Sequence, residues 1–214
     1  MIKIERFVCN MLQENCYVVS DESKECAIID CGAFYEQEQT AIQRYIQDEQ
    51  LTPKHLLVTH AHLDHNFGNY FLHQTFGLLP QIAAEDQNLY KNIPRQAEAL
   101  YGIQLNYEQP PVGHLLKDKE TIAVGNQALK VIHTPGHSPG GVCFYHEAEG
   151  VLFTGDTLFE RSIGRTDFSG GSMMQIIQSL KILAQLPDAT TVLPGHGNRT
   201  TIGNELKYNP YMER

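Results

Sequence analysis

Three histidines and an aspartate stand within six consecutive positions of the stretch THAHLDH, which spans residues 59–65. His60 and His62 alternate, so in an extended segment both imidazoles project to the same side and can reach one ion. Asp64 and His65 come a turn later and point to a neighbouring position. Neutral imidazole and carboxylate suit zinc, manganese or iron, and the lack of thiolates argues against a closed structural zinc finger. The stretch therefore predicts a metal site with an open, water-filled position.

Three further candidate ligands stand in separate stretches that contain glycine. They are His137 in HTPGHSPGG, Asp156 in FTGDTLF and His196 in LPGHGNR. Glycine lets the backbone turn sharply and approach a site closely. With the first four residues they make seven nitrogen and oxygen ligands, whereas one tetrahedral ion needs only four. The sequence therefore predicts two metal ions with a shared ligand, held by His60, His62, Asp64, His65, His137, Asp156 and His196.

Short strands and helices alternate along the chain and must position these residues. The patterns predict strands at 2–9, 16–20, 26–30, 55–59, 81–84, 131–132, 142–145, 151–154 and 191–193, and helices at 36–50, 67–76, 85–101 and 172–186. Pro53 is expected to close the first helix, and Ser172 with Gln175 has the spacing of a capping box. The segment 85–113 is expected to overhang the site. Each candidate metal stretch follows the carboxyl end of a strand, where ligands usually bind in α/β folds.

The composition limits the class of protein and its partners. The net charge of −9 argues against binding nucleic acid through a broad basic surface. No stretch approaches the roughly 18 apolar residues of a membrane-spanning helix, and the N-terminus lacks the pattern of a secretion signal. The five scattered cysteines form no Cys-x-x-Cys pair, which predicts free thiols and a cytoplasmic location. No shift in composition divides the chain, so we expect one domain over residues 1–214.

The four motifs, taken in order, resemble those of the metallo-β-lactamase superfamily. They are His60-Ala61-His62-Leu63-Asp64-His65, His137, Asp156 and His196. The resemblance covers nearly the whole chain and implies an αββα sandwich, an α/β (α+β) fold with two facing sheets, helices outside and metals at one edge of the sheets. It further implies one metal on His60, His62 and His137, a second on Asp64, His65 and His196, and a bridge between them by Asp156.

Two branches of that superfamily share features with this chain. With an aspartate at position 156, the chain resembles the hydroxyacylglutathione hydrolases (glyoxalase II). Those enzymes continue past the last metal histidine into a helical domain, whereas 18 residues follow His196 here. Those enzymes also carry a Lys-x-Tyr pair where this chain has Gly164-Arg165-Thr166-Asp167. The stretch GDTLFERSIGRTDFSGGS is similar instead to short, single-domain glyoxalase II-like hydrolases. Its Gly-Arg-Thr-Asp-Phe part also resembles the persulfide dioxygenases, which would hold one iron with His60, His137 and Asp156.

The ligand chemistry and the resemblance together predict a dinuclear metallohydrolase. Hydroxide formed on the metals is expected to attack the carbonyl of a small thioester such as S-lactoylglutathione. The expected cofactors are two divalent metal ions, zinc first, with iron or manganese as alternatives. Asp64 could also orient the hydroxide, and Arg165 could bind a substrate carboxylate or equally pair with Asp167. A mononuclear iron persulfide dioxygenase and a non-catalytic metal-binding module stay open as alternatives, as does the oligomeric state.

Overall fold

Two six-stranded sheets face each other in the computed structural model, which describes residues 1–213. The first sheet keeps its strands in chain order, with two antiparallel pairs followed by three parallel pairs. Its strands are β1 (Lys3–Cys9), β2 (Glu14–Ser20), β3 (Glu25–Ile29), β4 (Thr52–Leu57), β5 (Pro80–Ala83) and β6 (His114–Leu116).

The second sheet is built mainly from antiparallel strands. It contains β7 (Thr121–Val124), β8 (Gln127–His133), β9 (Val142–His146), β10 (Val151–Gly155), β13 (Thr191–Pro194) and β14 (Thr200–Thr201). Their order is β14-β13-β10-β9-β8-β7, and only β10 and β13 run parallel. A separate hairpin is formed by β11 (Leu158–Phe159) and β12 (Ser162–Ile163).

Six α-helices accompany the sheets, and none within residues 1–213 is long and apolar enough to cross a membrane. They are α1 (Glu36–Asp48), α2 (Asn69–Phe76), α3 (Gln87–Lys91), α4 (Ile93–Tyr101), α5 (Met173–Leu183) and α6 (Ile202–Tyr208). Ile42 of α1 and Leu72 of α2 are buried in an apolar cluster with the first sheet. Leu183 of α5 and Ile202 of α6 are buried in a matching cluster with the second sheet.

The central core lies between the two sheets. Tyr17 of β2 and Phe153 of β10 meet edge to face across it, with ring centroids 5.3 Å apart. Every position of β2 and of β9 is buried, because each strand is covered by the facing sheet on one side and by helices on the other. The layers therefore run helix, sheet, sheet, helix, and the predicted αββα sandwich is confirmed.

The bounds of two predicted helices are wrong, and each error lies near a proline. The first helix ends at Asp48 rather than at residue 50, and Pro53 lies inside β4, where the pairing with β3 shifts register. A strand tolerates proline at such an irregularity because the missing N–H costs no ladder bond there. The single helix predicted at 85–101 is two helices that divide at Asn92. Pro94 has no N–H to continue a helix, so it stands in the first turn of α4 instead.

The sequence patterns also missed several short elements, namely β6, β7, β11, β12, β14 and α6. Each has seven residues or fewer, too few for a periodic pattern to stand out. Half of the capping box predicted for the helix after Ser172 is present, because the Ser172 hydroxyl accepts a hydrogen bond from the Gln175 backbone N–H at 3.3 Å. The reciprocal half is not formed, because the Ser172 backbone N–H donates to the Gly136 carbonyl at 2.7 Å instead.

Candidate metal centre

Four loops at one edge of the two sheets bring the seven predicted ligands together. The loop after β4 carries four of them, and the loops after β8, β10 and β13 carry one each. We name His60, His62 and His137 the first cluster, and Asp64, His65 and His196 the second cluster. Within each cluster the potential ligand atoms lie within 4.8 Å of one another. The parallel and facing strands end at the same edge, which is why residues 60 and 196 can meet.

The carboxylate of Asp156 lies between the two clusters. Its Oδ1 is 3.3 Å from Nε2 of His65 and its Oδ2 is 3.5 Å from Nε2 of His137. The Nε2 of His196 is 3.7 Å from the same Oδ2. In the second cluster, Asp64 Oδ2 lies 3.2 Å from His196 Nε2. Asp156 is therefore the one carboxylate of the centre within reach of imidazoles from both clusters.

Hydrogen bonds on the outer side of three imidazoles fix which nitrogen faces the centre. The Nδ1 atoms of His65, His137 and His196 lie 2.9, 2.7 and 3.0 Å from the Asp30 carboxylate, the Arg165 carbonyl and the Leu12 carbonyl. A carbonyl or a carboxylate can only accept, so each Nδ1 carries the proton. The Nε2 lone pairs of His65 and His196 are consequently left to face the centre, the arrangement found in metal-ligating histidines. The Nε2 of His137 lies 2.8 Å from Nδ1 of His62 and accepts a hydrogen bond from it, so these two imidazoles of the first cluster contact each other directly.

His60 is oriented by a two-step chain that ends on the same aspartate. The Thr59 hydroxyl donates to Oδ2 of Asp30 at 2.7 Å, and it lies 3.1 Å from His60 Nδ1. A hydroxyl has only one proton to donate, and the Thr59 hydroxyl donates it to Asp30. The Thr59 oxygen therefore accepts a hydrogen bond from His60 Nδ1–H. Asp30 Oδ2 also accepts from His65. One buried carboxylate therefore braces an imidazole of each cluster.

The polar atoms that face the centre fit a bound cation. The Nε2 atoms of His60 and His65 and the Oδ1 atom of Asp156 are buried and make no hydrogen bond within the described residues. Buried polar atoms of a folded protein are normally paired, and an unpaired group calls for an explanation. Lone pairs of imidazole and carboxylate that converge on one place are the ligand set of a divalent first-row metal ion.

The proton affinities of the two clusters differ in direction. Burial lowers the pKa of His60 well below its usual value and lowers the pKa of His62 to about 3, and neighbouring imidazoles add to the effect. Burial also disfavours charged His65 and His196, but the nearby carboxylates outweigh it and raise the pKa of both. Burial alone would raise the pKa of Asp156, yet the facing imidazoles lower it. The second cluster is thus held by charge pairing, and the first is not.

A cavity of about 670 Å³ opens above these residues. His62, Asp64 and Asp156 are among the residues at its floor, and residues of α3 and α4 form one wall. The predicted overhang of segment 85–113 is therefore confirmed for residues 89–101, whereas residues 102–113 do not line this cavity. Tyr101 lines this wall, whereas the hydroxyl of buried Tyr90 donates to the Pro110 carbonyl at 2.8 Å and serves packing.

Arg165 also lines the cavity, but its guanidinium is paired within its own loop. Its guanidinium donates two hydrogen bonds to the carboxylate of Asp167, at 2.7 and 2.6 Å, and stacks over Phe168 at 4.1 Å from the ring centroid. Its carbonyl accepts from His137 Nδ1. Of the two roles that the sequence left open, the structure contains the pairing with Asp167.

Close approach of the backbone explains the glycine before His196. A Cβ added at Gly195 would lie 2.5 Å from Oδ1 of Asp156 and 2.6 Å from Cε1 of His65. Side-chain atoms are not tolerated at such distances, so any larger residue would displace two of the seven candidate ligands.

Two aspartates that support the centre were missed from the sequence. Asp30 follows β3, and Asp86 follows β5. Asp86 is fully buried and accepts from the Ala61 N–H, the Ser138 hydroxyl and the Gly140 N–H at 2.9, 2.9 and 2.6 Å, which ties the His60–His62 loop to the His137 loop. The sequence patterns placed Asp30 inside the predicted strand 26–30 and Asp86 inside the predicted helix 85–101, so neither stood out as a residue of a loop that follows a strand.

The remaining histidines lie outside the two clusters. Three bond to polar side chains elsewhere, at 2.9, 2.6 and 3.1 Å: His55 with Gln81, His114 with Glu120, and His146 with Gln127. His73 lies 3.0 Å from the Leu78 carbonyl. His133, close in sequence to His137, makes no side-chain hydrogen bond to the seven residues within the described chain.

The fold and the centre agree with the family comparison. A family model described as the metallo-beta-lactamase superfamily matches residues 9–196. The chain therefore belongs to the metallo-β-lactamase superfamily.

Several characterised or solved proteins are similar to it over nearly their whole length. Hydroxyacylglutathione hydrolase GloC of Haemophilus influenzae is 36% identical over 219 residues, which cover 99% of this chain and 98% of that protein. The crystal structure of BLEG-1 B3 metallo-beta-lactamase has a TM-score of 0.87 and 35% identity, and covers 99% of each chain. The crystal structure of TTHA1623 in a di-iron-bound form has a TM-score of 0.85 and 34% identity, and covers 97% of this chain and 100% of the other.

Proposed function

We propose that this protein is a dinuclear metal-dependent hydrolase that cleaves a small thioester, with S-lactoylglutathione as the first compound to test. The observation that carries the proposal is the pair of adjoining clusters with the Asp156 carboxylate between them. A mononuclear site would need only part of this set. The di-iron form of TTHA1623 and the hydrolase GloC support the same interpretation by similarity.

In this proposal the first cluster would hold one ion and the second cluster the other, and Asp156 would be a ligand that both share. Zinc is the first candidate and iron or manganese the alternatives, because the ligands are imidazole and carboxylate without sulfur. When bound, two divalent ions would lower the pKa of a bound water to about 7, which would supply hydroxide at neutral pH, and would polarise the substrate carbonyl.

The chain's own residues orient the reaction. Asp30 and the carbonyls of Leu12 and Arg165 hold the imidazole Nε2 atoms towards the centre. The Asp64 carboxylate faces the cavity and can accept a hydrogen bond from the attacking oxygen, which directs a lone pair at the substrate carbonyl. The walls formed by α3 and α4 and by the loop of Arg165 limit the access of bulk water.

The leaving group favours thioesters over amides. Hydrolysis adds one water across the acyl–sulfur bond and yields a carboxylate, a thiol and one proton. The thiolate that leaves has a conjugate acid with a pKa of about 8.5, so it needs no dedicated acid to protonate it. An amide nitrogen is a much stronger base and would need one. We further propose a cytoplasmic location, which the five buried free cysteines support, and a small-molecule partner, which the cavity of about 670 Å³ supports.

Metal analysis combined with two variants tests the proposal. Protein purified without added metal and then supplied with zinc should contain close to two ions per chain and release thiol from S-lactoylglutathione or a simple acyl thioester. Asp64→Ala and His196→Ala should each lose the second ion and most of the activity. His114→Ala, which changes an exposed histidine paired with Glu120, is the matched control. Full ion content with no turnover of any thioester would instead indicate a metal-binding module.

Two rival activities have specific support. The Gly164–Phe168 stretch resembles the persulfide dioxygenases, whose single iron would use His60, His137 and Asp156. That activity predicts one tightly held iron, oxygen consumption with a persulfide, and tolerance of His196→Ala. The similarity to BLEG-1 favours β-lactam hydrolysis, which a chromogenic cephalosporin measures directly. Turnover of either substrate above the rate with thioesters would replace the proposal.

A further inference from the structure

The cavity above the centre has two arginines in its lining, and they differ in their partners. Arg165 is neutralised by the two hydrogen bonds to Asp167. Arg95 projects from α4, is exposed, and lines the same cavity. No hydrogen bond or ion pair joins its side chain to another residue among residues 1–213. Arg95 is thus the cavity cation whose donors are available to a ligand.

The rest of the upper cavity is mainly apolar. Leu89 of α3, together with Leu100 and Tyr101 of α4, forms the wall that carries Arg95. Leu12, Phe159 and Phe168 line the cavity from other loops. Leu12, Leu100 and Tyr101 are 38%, 52% and 37% exposed, respectively, so this apolar surface faces the open cavity rather than the core. Such a surface gains free energy when an apolar part of a substrate covers it.

We propose that the substrate is a thioester with one anionic group and an apolar segment, and that Arg95 binds the anionic group. This inference rests on the proposed thioester hydrolysis and narrows its substrate class. A guanidinium forms two parallel hydrogen bonds to a carboxylate, which gives both affinity and orientation. The apolar segment lies against Leu89, Leu100 and Leu12, and the scissile carbonyl reaches the centre at the cavity floor.

The same surfaces disfavour S-lactoylglutathione relative to such a compound. Its tripeptide carries two carboxylates and an ammonium group, and its acyl group carries a hydroxyl. The cavity offers one unengaged cation and an apolar wall. Charged groups without partners lose hydration without compensation when they enter such a site. We therefore expect an apolar, singly charged thioester to have the higher kcat/KM.

Matched synthetic thioesters test this assignment. S-Hexanoyl-3-mercaptopropionate carries the anion on the thiol side, S-adipoyl-N-acetylcysteamine carries it on the acyl side, and S-hexanoyl-N-acetylcysteamine is neutral. The zinc-loaded enzyme is assayed by thiol release with each compound and with S-lactoylglutathione. The variants are Arg95→Met, which keeps an unbranched apolar stem, Arg95→Lys, and the control Arg44→Met, which removes an exposed arginine from α1.

The wild type should prefer one of the two anionic thioesters over the neutral compound by about 10-fold, the effect of one charge-assisted hydrogen-bonded pair. Arg95→Met should abolish that preference through KM with little change in kcat, because Arg95 acts on binding away from the reacting atoms. Arg95→Lys should keep part of the preference, and Arg44→Met should keep all of it. Equal effects of Arg95→Met on charged and neutral thioesters would overturn the assignment.

A binding measurement separates this inference from the catalytic proposal. The ligands are the amide counterpart of whichever anionic thioester is preferred and the neutral analogue of that amide. For the thiol-side anion these are N-hexanoyl-β-alanine and N-hexanoylethanolamine, and for the acyl-side anion they are N-adipoyl-ethylamine and N-hexanoyl-ethylamine. Calorimetry on metal-free protein excludes direct binding of the carboxylate to an ion. Tighter binding of the acid that Arg95→Met removes supports the assignment, and equal Kd values for both compounds overturn it. If the wild type hydrolyses the neutral thioester but shows no Arg95-dependent preference, the substrate class is wrong while the hydrolase function stands. If no thioester is hydrolysed, the hydrolase function itself fails.

Discussion

The first and second clusters lie side by side, yet their surroundings differ. His60, His62 and His137 are three imidazoles with no carboxylate among them, and burial keeps His60 and His62 in the neutral form. The second cluster includes Asp64, and the nearby carboxylates favour protonated His65 and His196. A proton therefore competes with a metal ion mainly at the second cluster. Two adjoining sites can therefore differ in how strongly pH governs their occupancy, according to whether a carboxylate stands among the imidazoles.

Removal of the Asp156 carboxylate, which lies between the clusters, should have the largest effect on metal binding. Asp156→Ala should reduce zinc content from two ions per chain to one or fewer. Loss of a hydrogen-bond partner of a ligand already costs about 10- to 100-fold in metal affinity, so loss of the ligand that we propose to be shared should cost more than about 100-fold. Titration of metal-free protein with zinc measures the change. Asp48→Ala, an exposed aspartate on α1, is the control. Retention of both ions would show that the clusters are independent.

Asp86 ties together the His60–His62 loop and the His137 loop, which carry the first cluster. Its replacement should therefore destabilise the support of the first cluster and leave the hydrogen bonds of the second unchanged. Asp86→Asn places an amide NH₂ against one of the three groups that donate to the carboxylate. A buried donor without an acceptor costs about 1–3 kcal/mol, so the free energy of unfolding of metal-free protein should fall by about 2 kcal/mol. Urea denaturation measures it, with Glu85→Gln as the exposed neighbouring control. An unchanged midpoint would mean that Asp86 is not a structural tie between the loops.

Thr59 offers a milder way to loosen one cluster. Thr59→Val removes the hydroxyl between His60 and Asp30, whereas the bond from His65 to Asp30 remains. Zinc affinity of the first cluster should fall about 10-fold, and that of the second should not change.

The zinc affinities of the two clusters can be measured separately in two variant backgrounds. His196→Ala leaves the first cluster intact, and His62→Ala leaves the second, so Thr59→Val is titrated with zinc in each. Thr52→Val, an exposed strand threonine, is the control. Equal weakening in both backgrounds would contradict the separate bracing of His60.

The smallest expected effect is a difference between metal-free variants in how their free energy of unfolding depends on pH. The pKa of His62 is about 3 in the folded state, below its unfolded value of about 6.5, so its burial costs stability as pH falls below 6.5. His62→Gln should therefore gain about 1 kcal/mol relative to the wild type between pH 7.5 and pH 5.5. The raised pKa of His196 stabilises the fold below pH 6.5, and this contribution is lost as pH rises through the folded pKa.

His196→Gln should therefore lose stability relative to the wild type over the same change from pH 7.5 to pH 5.5. Thermal unfolding of metal-free protein at both pH values tests the opposite signs. Shifts of the same sign in His62→Gln and His196→Gln would remove the electrostatic contrast between the clusters.

The candidate ligands were predictable because each occupies a local pattern. Alternation in THAHLDH and glycine next to His137, Asp156 and His196 can be seen in single short stretches. Asp30 and Asp86 lack such a mark, although both follow strands in the same way. The division of α3 from α4 was visible in Pro94, but helical periodicity over 85–101 obscured it. The partner of Arg165 was one of two roles that the sequence allowed.

The sequence by itself determined the residue types of the centre, their order and the family, since these depend on short motifs and their succession. Only the tertiary structure decided which side chains brace which imidazole, because Asp30, Leu12 and the Arg165 carbonyl reach their partners from separate loops. It also decided that the Arg165 guanidinium is paired with Asp167, whereas Arg95 lines the same cavity without such a partner among residues 1–213. The physical reason is that hydrogen bonds and charge pairing depend on distance in space, and strands far apart in the chain end at the same edge of the sheets.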